Sequence, residues 1–164
     1  MPLRRALFLD FDGVLHPAGL TVHDVRQPVD AIRARRPDLF CHVGLVDELL
    51  RPHPDVQVWV HSGWRLHHPA DVILPLLGPL APRLHGITEG VSRHDSIRQA
   101  VLAHGIDDYR ILDDLPEEFD GTPAELILCD PVLGVSCPTV RQRLVEWLEI
   151  SPARSRAPGR TGSA

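Results

Sequence analysis

The sequence predicts an α/β fold of three layers, in which a mostly parallel sheet of about five strands is covered by helices on both faces. Two observations carry that expectation. Short apolar runs of strand length alternate with stretches of helical periodicity along the 164-residue chain. Most of the runs also stop abruptly at a polar residue, as strands do when they deliver side chains to the carboxyl edge of a parallel sheet.

The first run, Arg5 to Leu9, ends at Asp10, with Gly13 close behind as a turn residue. The second, Val56 to Val60 with Trp59 inside it, ends at His61-Ser62-Gly63. Leu84 to Ile87 is a shorter third. Tyr109 to Leu112 runs into Asp113-Asp114, and Leu126 to Leu128 into Cys129-Asp130. Helical patterns fill the intervals. Val43 to Leu50 spaces Val46, Leu49 and Leu50 on one face, and Pro69 to Leu77 follows the second strand. Asp95 to His104 carries Ile97, Val101 and Leu102 as its apolar stripe, with Ser92-x-x-Asp95 as a capping-box start. Thr139 to Leu148 is the last helix.

The segment Ala18 to Phe40, with Pro28, Pro37 and a basic cluster of Arg33, Arg35 and Arg36, reads either as an irregular flap or as a short helix over the site. That cluster is expected to be a solvated face rather than a nucleic-acid patch. The length supports one core, so residues 1–150 are expected to form a single domain. Residues 151–164 lack apolar periodicity and are expected to form a disordered tail.

A formal net charge of −5 argues against a general nucleic-acid coat or an anionic membrane surface, both of which reward a basic field. No stable nucleic-acid partner is required by this composition. No apolar run approaches bilayer length and the start lacks a signal-peptide pattern, so a cytoplasmic location without a membrane partner is expected. Cys41, Cys129 and Cys137 are too few and too scattered for a disulfide framework or a zinc set. The histidines around the second strand end, His61, His67 and His68, likewise have no metal-binding spacing, and most of the ten are expected at the surface. The chain has no lysine, so all 17 basic side chains are arginines. A site that needs a cation must use arginine or a protonated histidine.

Asp10-Phe11-Asp12-Gly13-Val14-Leu15 at the end of an apolar strand resembles the first motif of the haloacid dehalogenase (HAD) superfamily of phosphohydrolases. The resemblance continues in order through Ser62, Arg93 and Asp113-Asp114, covering roughly residues 5 to 130. The segments Val58 to Arg65 and Ile111 to Asp114 look like the small capless members, some of which are associated with RNA repair. The resemblance implies a Rossmann-like, HAD-like domain and a phosphatase that hydrolyses phosphomonoesters with Mg²⁺. Asp10 would be the nucleophile and Asp12 the proton shuttle. Asp113 and Asp114 would join Asp10 and the main-chain carbonyl of Asp12 around the metal. Ser62, with main-chain N–H groups around Phe11, Asp12 and Gly63, would hold phosphoryl oxygens, and Arg93 would supply the cation.

These roles agree with the chemistry. A phosphate ester is an anion that resists a carboxylate nucleophile, so charge neutralisation by a hard divalent cation on oxygen ligands is required. Arg93 departs from the family pattern, where lysine is usual, and Arg98 one turn on is the competing candidate. Trp64 and Arg65 follow Ser62 directly: either they stack on a base and bind phosphate, or they pack and line the rim. His16, just after the catalytic turn, is placed to touch substrate. The spacing between Asp10, Ser62 and Arg93 leaves no room for a large cap, so an open site is expected, suited to a nucleotide, a nucleic-acid end or another accessible phosphate. The sequence leaves open whether the phosphorylated substrate is a small molecule or a macromolecular end. Two alternatives stand beside hydrolysis: a catalytically weak phosphate-binding or regulatory module, and a phosphotransferase.

Overall fold

The computed structural model of the protein describes residues 3–150, so the expected tail at 151–164 lies outside the described residues. Five strands form one sheet: β1 (Arg5–Leu9), β2 (Val56–Val60), β3 (Leu84–Ile87), β4 (Asp108–Asp113) and β5 (Leu126–Leu128). All neighbours pair in parallel, in the order β3-β2-β1-β4-β5. This is the Rossmann-like α/β arrangement expected from the alternating pattern. Every residue of β1 is buried, because this central strand has partners on both edges and helices on both faces.

The two faces of the sheet hold separate cores. Leu7 and Leu9 of β1 join Val58 and Val60 of β2 on the face covered by α3 (Val43–Leu50), α4 (Ala70–Leu76) and α6 (Pro138–Glu149). Ala6 and Phe8 join Trp59 and Ile111 on the other face, covered by α5 (Arg93–His104) and Phe119. Each large side chain removed from water contributes about 1.5–3 kcal/mol. Gly86 in β3 is needed for this second core, because a β-carbon there would overlap the Trp59 ring.

α5 starts at Arg93, two residues before the expected start, with Ser92 as its N-cap. The Ser92 side chain accepts a hydrogen bond from the Asp95 N–H at 3.2 Å, and Gly105 closes the helix in the left-handed region. The buried stripe of α5 is Ile97 and Ala100, flanked by Val101, whereas Leu102 is 81% exposed. At 100° per residue Leu102 lies well off the Ile97 face, so Ile97 and Val101 of the expected stripe meet the core and Leu102 does not.

The segment between β1 and α3 contains two short helices, α1 (Val22–Val25) and α2 (Val29–Arg35). Thr21 and Asp24 form a reciprocal capping box that starts α1. Among the described residues no helix is long and apolar enough to cross a membrane.

Candidate active site

The parallel sheet carries its ladder past the strand ends and so fixes the site residues. The Asp10 N–H donates to the Leu112 carbonyl at 3.0 Å, and the His61 N–H donates to Leu9 at 3.1 Å. Asp10, His61 and Asp113 are thereby side by side on the three central strands, all three buried. Gly13 turns the chain back at φ +69°, and a β-carbon there would overlap the Asp114 carboxylate.

Asp10, Asp113 and Asp114 each place one oxygen within 4.8 Å of the others. Octahedral oxygen ligands at about 2.1 Å from an ion lie at most about 4.2 Å apart. The three carboxylates therefore fit the shell of a small divalent cation with little adjustment. The Asp12 carboxylate is not part of that group. Its Oδ2 accepts from the Trp64 indole N–H at 2.8 Å, and its Oδ1 lies 3.1 Å from His16 Nε2.

Arg93, rather than Arg98, reaches the acids. One guanidinium nitrogen, Nη1, donates to Asp10 Oδ2 at 2.7 Å and to Asp113 Oδ2 at 2.9 Å. Arg98 is exposed on the far side of the helix. The early start of α5 explains the choice, since it sets Arg93 in the first turn beside Gly63. Ser62 is fully buried at the start of a 3-10 turn, where its hydroxyl accepts from the Trp64 N–H. The Phe11 N–H donates to Asp10 Oδ1 at 2.8 Å, so here it orients the carboxylate rather than standing free for a phosphoryl oxygen.

Charge crowding sets the protonation of the cluster. Burial pushes the Asp10 carboxyl above its ordinary range, and Asp113 adds repulsion against the opposing pull of Arg93 and His61. Partial burial and the charges of Asp10 and Asp113 push Asp114 up to about 7. Asp113 goes the other way: burial acts upward, but the His61 hydrogen bond, Arg93 and the Leu115 N–H hold it below the ordinary value. Burial works against the Arg93 charge, yet its two carboxylate partners raise its value and keep it protonated. Two carboxyls driven up by burial and, after it, by like charge mark a site that gains from a divalent cation.

Several expectations need correction. Trp64 is 1% exposed, enclosed by Phe11, Phe40, His16 and His68, so it offers no ring face for a base to stack on. Arg65 is spent on main-chain carbonyls: it donates to those of His61, Ser62, Thr88 and Gly90 and ties the second strand end to the third. It braces the loop instead of binding phosphate. His16 and His61 are fully buried, while the other eight histidines keep some surface as expected, so His16 is shut off from the substrate it was expected to touch. His61 was missed as a site residue altogether; its Nε2 lies 2.8 Å from Asp113 Oδ2. His68 donates from Nε2 to the Val25 carbonyl, so His61 and His68 serve different partners and build no zinc site.

The acids open into a cavity of about 400 Å³ lined by Asp10, Asp12, Gly63, Arg93, Asp114 and Glu118. Its opposite wall is Ala18 to Val22 and Val25, so the segment between β1 and α2 does form a flap beside the site. A larger groove of about 560 Å³ along β3 contains none of these acids.

Neither a curated protein nor a solved structure gives a match to the chain. One family model does match, described as the HAD domain in Swiss Army Knife RNA repair proteins, over residues 6–140. That span includes Asp10, Asp12, Ser62, Arg93, Asp113 and Asp114, and it covers most of the chain. With the parallel sheet and the acids gathered at its carboxyl edge, the match establishes that this chain belongs to that family of HAD domains.

Proposed function

We propose that the protein is a Mg²⁺-dependent phosphatase that hydrolyses phosphomonoesters through an aspartyl-phosphate on Asp10. The family supports a phosphohydrolase in general. The observation that carries the finer reading is the convergence of Asp10, Asp12, Arg93 and Asp114 on one cavity, with Asp113 buried behind them.

In this reading the Asp10 carboxylate attacks phosphorus, the bond from phosphorus to the leaving oxygen breaks, and Asp12 gives that oxygen a proton. Asp12 then takes a proton from water, which attacks phosphorus and releases Asp10. Asp10, Asp113, Asp114 and the main-chain carbonyl of Asp12 would hold Mg²⁺, which would supply charge neutralisation for the phosphoryl group. Arg93 steadies the Asp10 carboxylate and the equatorial oxygens, and Ser62 and Gly63 line the phosphoryl side. Asp rather than Thr at position 12 favours hydrolysis over transfer to an alcohol, because a carboxylate can serve as base for water.

The family's description makes phosphorylated RNA ends the first macromolecular substrates to try, beside nucleotides and small phosphate esters. The test is Mg²⁺-dependent phosphate release across that panel, with Asp10→Asn as control and trapping of an acid-stable phosphoprotein. Absence of turnover on every substrate, with phosphate still bound, would leave the second reading in possession. That reading is a catalytically weak phosphate-binding module, and Arg93 favours it, because its nitrogen bridges Asp10 and Asp113 where the metal ligands must act.

A further inference from the structure

Asp12 is the group whose aim matters most to a proton transfer, and the structure holds it by both oxygens. The Trp64 indole N–H donates to Oδ2 at 2.8 Å, and His16 Nε2 lies 3.1 Å from Oδ1. The direction of the second bond follows from the other side of the ring. The Phe40 N–H donates into His16 Nδ1 at 3.3 Å, so Nδ1 is an acceptor and the ring proton is on Nε2. His16 therefore donates to Asp12.

The frame around this pair is rigid. His16 is fully buried and Trp64 nearly so, and their rings meet Phe11 and Phe40 at centroid distances of 4.9–5.9 Å. Phe40 is held at φ +59°, a left-handed conformation that non-glycine residues seldom adopt, and its N–H serves the His16 ring. Behind Trp64, the His68 ring lies at 5.5 Å and donates to the Val25 carbonyl, which ties the frame to the flap. Meanwhile the Asp12 side chain keeps 25% of its surface exposed toward the cavity. Its plane is set from behind and its reactive edge is left open.

We propose that His16 and Trp64 are positioning residues for Asp12, fixing the carboxylate plane so that it meets the leaving-group oxygen. This rests on the phosphatase reading above. An untethered carboxylate rotates about two side-chain torsions, and general acid catalysis depends on holding it in line with the leaving oxygen.

The effect is read in the dependence on the leaving group. An alkyl phosphate needs its leaving oxygen protonated, whereas 4-nitrophenyl phosphate leaves without that help. The variants are Trp64→Phe, which removes the N–H and keeps a ring, His16→Leu, and His16→Gln, which keeps an N–H donor. The expected result is that Trp64→Phe and His16→Leu lower kcat/KM on the alkyl ester by roughly 10–100-fold but on the aryl ester by less than about 3-fold, a part of the 10²–10⁴ that general acids contribute. His16→Gln is expected to recover most of the alkyl activity. Equal losses on both esters, or no loss, would overturn the inference while leaving the phosphatase reading intact. A wild-type chain that turns over neither these esters nor any nucleotide or RNA end of the panel above overturns both. If the buried substitutions unfold the chain, the Trp64 indole N–H resonance in Asp12→Ala decides: an upfield shift supports the network, and an unmoved signal overturns it.

Discussion

His61 Nε2 and Asp113 Oδ2 are 2.8 Å apart, and both side chains are fully shielded from solvent. The pair joins the end of β2 to the end of β4 behind β1. Asp113 also accepts from Arg93 on the same oxygen, so His61 acts as a donor and supports the carboxylate from the side away from the cavity. Groups that orient a ligand in this way typically contribute 10–100-fold to metal affinity. His61→Phe keeps a ring against Phe119 and removes the donor. Calorimetric titration is expected to give about 10–100-fold weaker Mg²⁺ binding. Loss of a buried hydrogen bond to a charged group is also expected to destabilise the fold by about 2 kcal/mol. Unchanged affinity would show that Asp113 needs no support from His61.

Arg93 and Arg98 are about 140° apart around α5, and their roles separate cleanly. Arg93→Ala removes the cation that touches Asp10 and Asp113, and kcat/KM is expected to fall by roughly 10²–10³-fold, as when one charge-stabilising donor is deleted. Arg98→Ala alters an exposed position and is expected to stay within about 2-fold, the scale of a surface change. Arg93→Lys tests whether a point charge suffices. A lysine nitrogen can reach between the two carboxylates without the planar fork, so activity is expected to survive it. Equal losses for Arg93→Ala and Arg98→Ala would show that α5 contributes only structure.

The strand ends were legible because the central strands of this sheet are buried on both faces and most of the strands stop at a polar residue. Asp10, Ser62 and Asp113 are found where that pattern puts them. The helix of Arg93 was legible through Ser92, although its first turn began two residues earlier than expected. His61 was not legible. A strand with no polar face has no alternation to reveal which way its last side chain turns, and its partner is 52 positions away. Trp64 was readable only as an aromatic residue beside a site. That its N–H, and not its face, is the working part depends on where Asp12 points, which no local pattern encodes.

Gly13 takes part in the site by having no side chain. Its φ of +69° costs an L-residue about 1–2 kcal/mol, and the added β-carbon would displace Asp114. Gly13→Ala is therefore expected to lower thermal stability and, separately, to weaken Mg²⁺ binding by moving a ligand. The two effects are distinguished by calorimetry at a temperature where the variant is fully folded. Full-strength Mg²⁺ binding in the folded variant would show that Asp114 moves aside without cost to the site.

The metal-free site predicts an unusual dependence of stability on pH. Asp114 rises from 3.8 to about 7 on folding, and Asp10 is also raised. Between those values the folded chain holds a proton that the unfolded chain has released, so stability falls as pH rises from about 4 to about 7. Asp113, held below its ordinary value, contributes stability that is lost only at more acidic pH. Without metal, Tm is expected to drop between pH 5 and pH 8. Mg²⁺ held as proposed would take the ionised carboxylates and compete with the proton, so it is expected to raise Tm more at pH 8 than at pH 5. Titrations near pH 6.5 in buffers of different ionisation enthalpy are expected to register proton release. Asp114→Asn removes the group with the value near 7, and its Tm is expected to vary less with pH over the same range. A metal-free Tm that rises from pH 5 to pH 8, in the wild type as in Asp114→Asn, would show that burial and like charge do not raise Asp114 on folding.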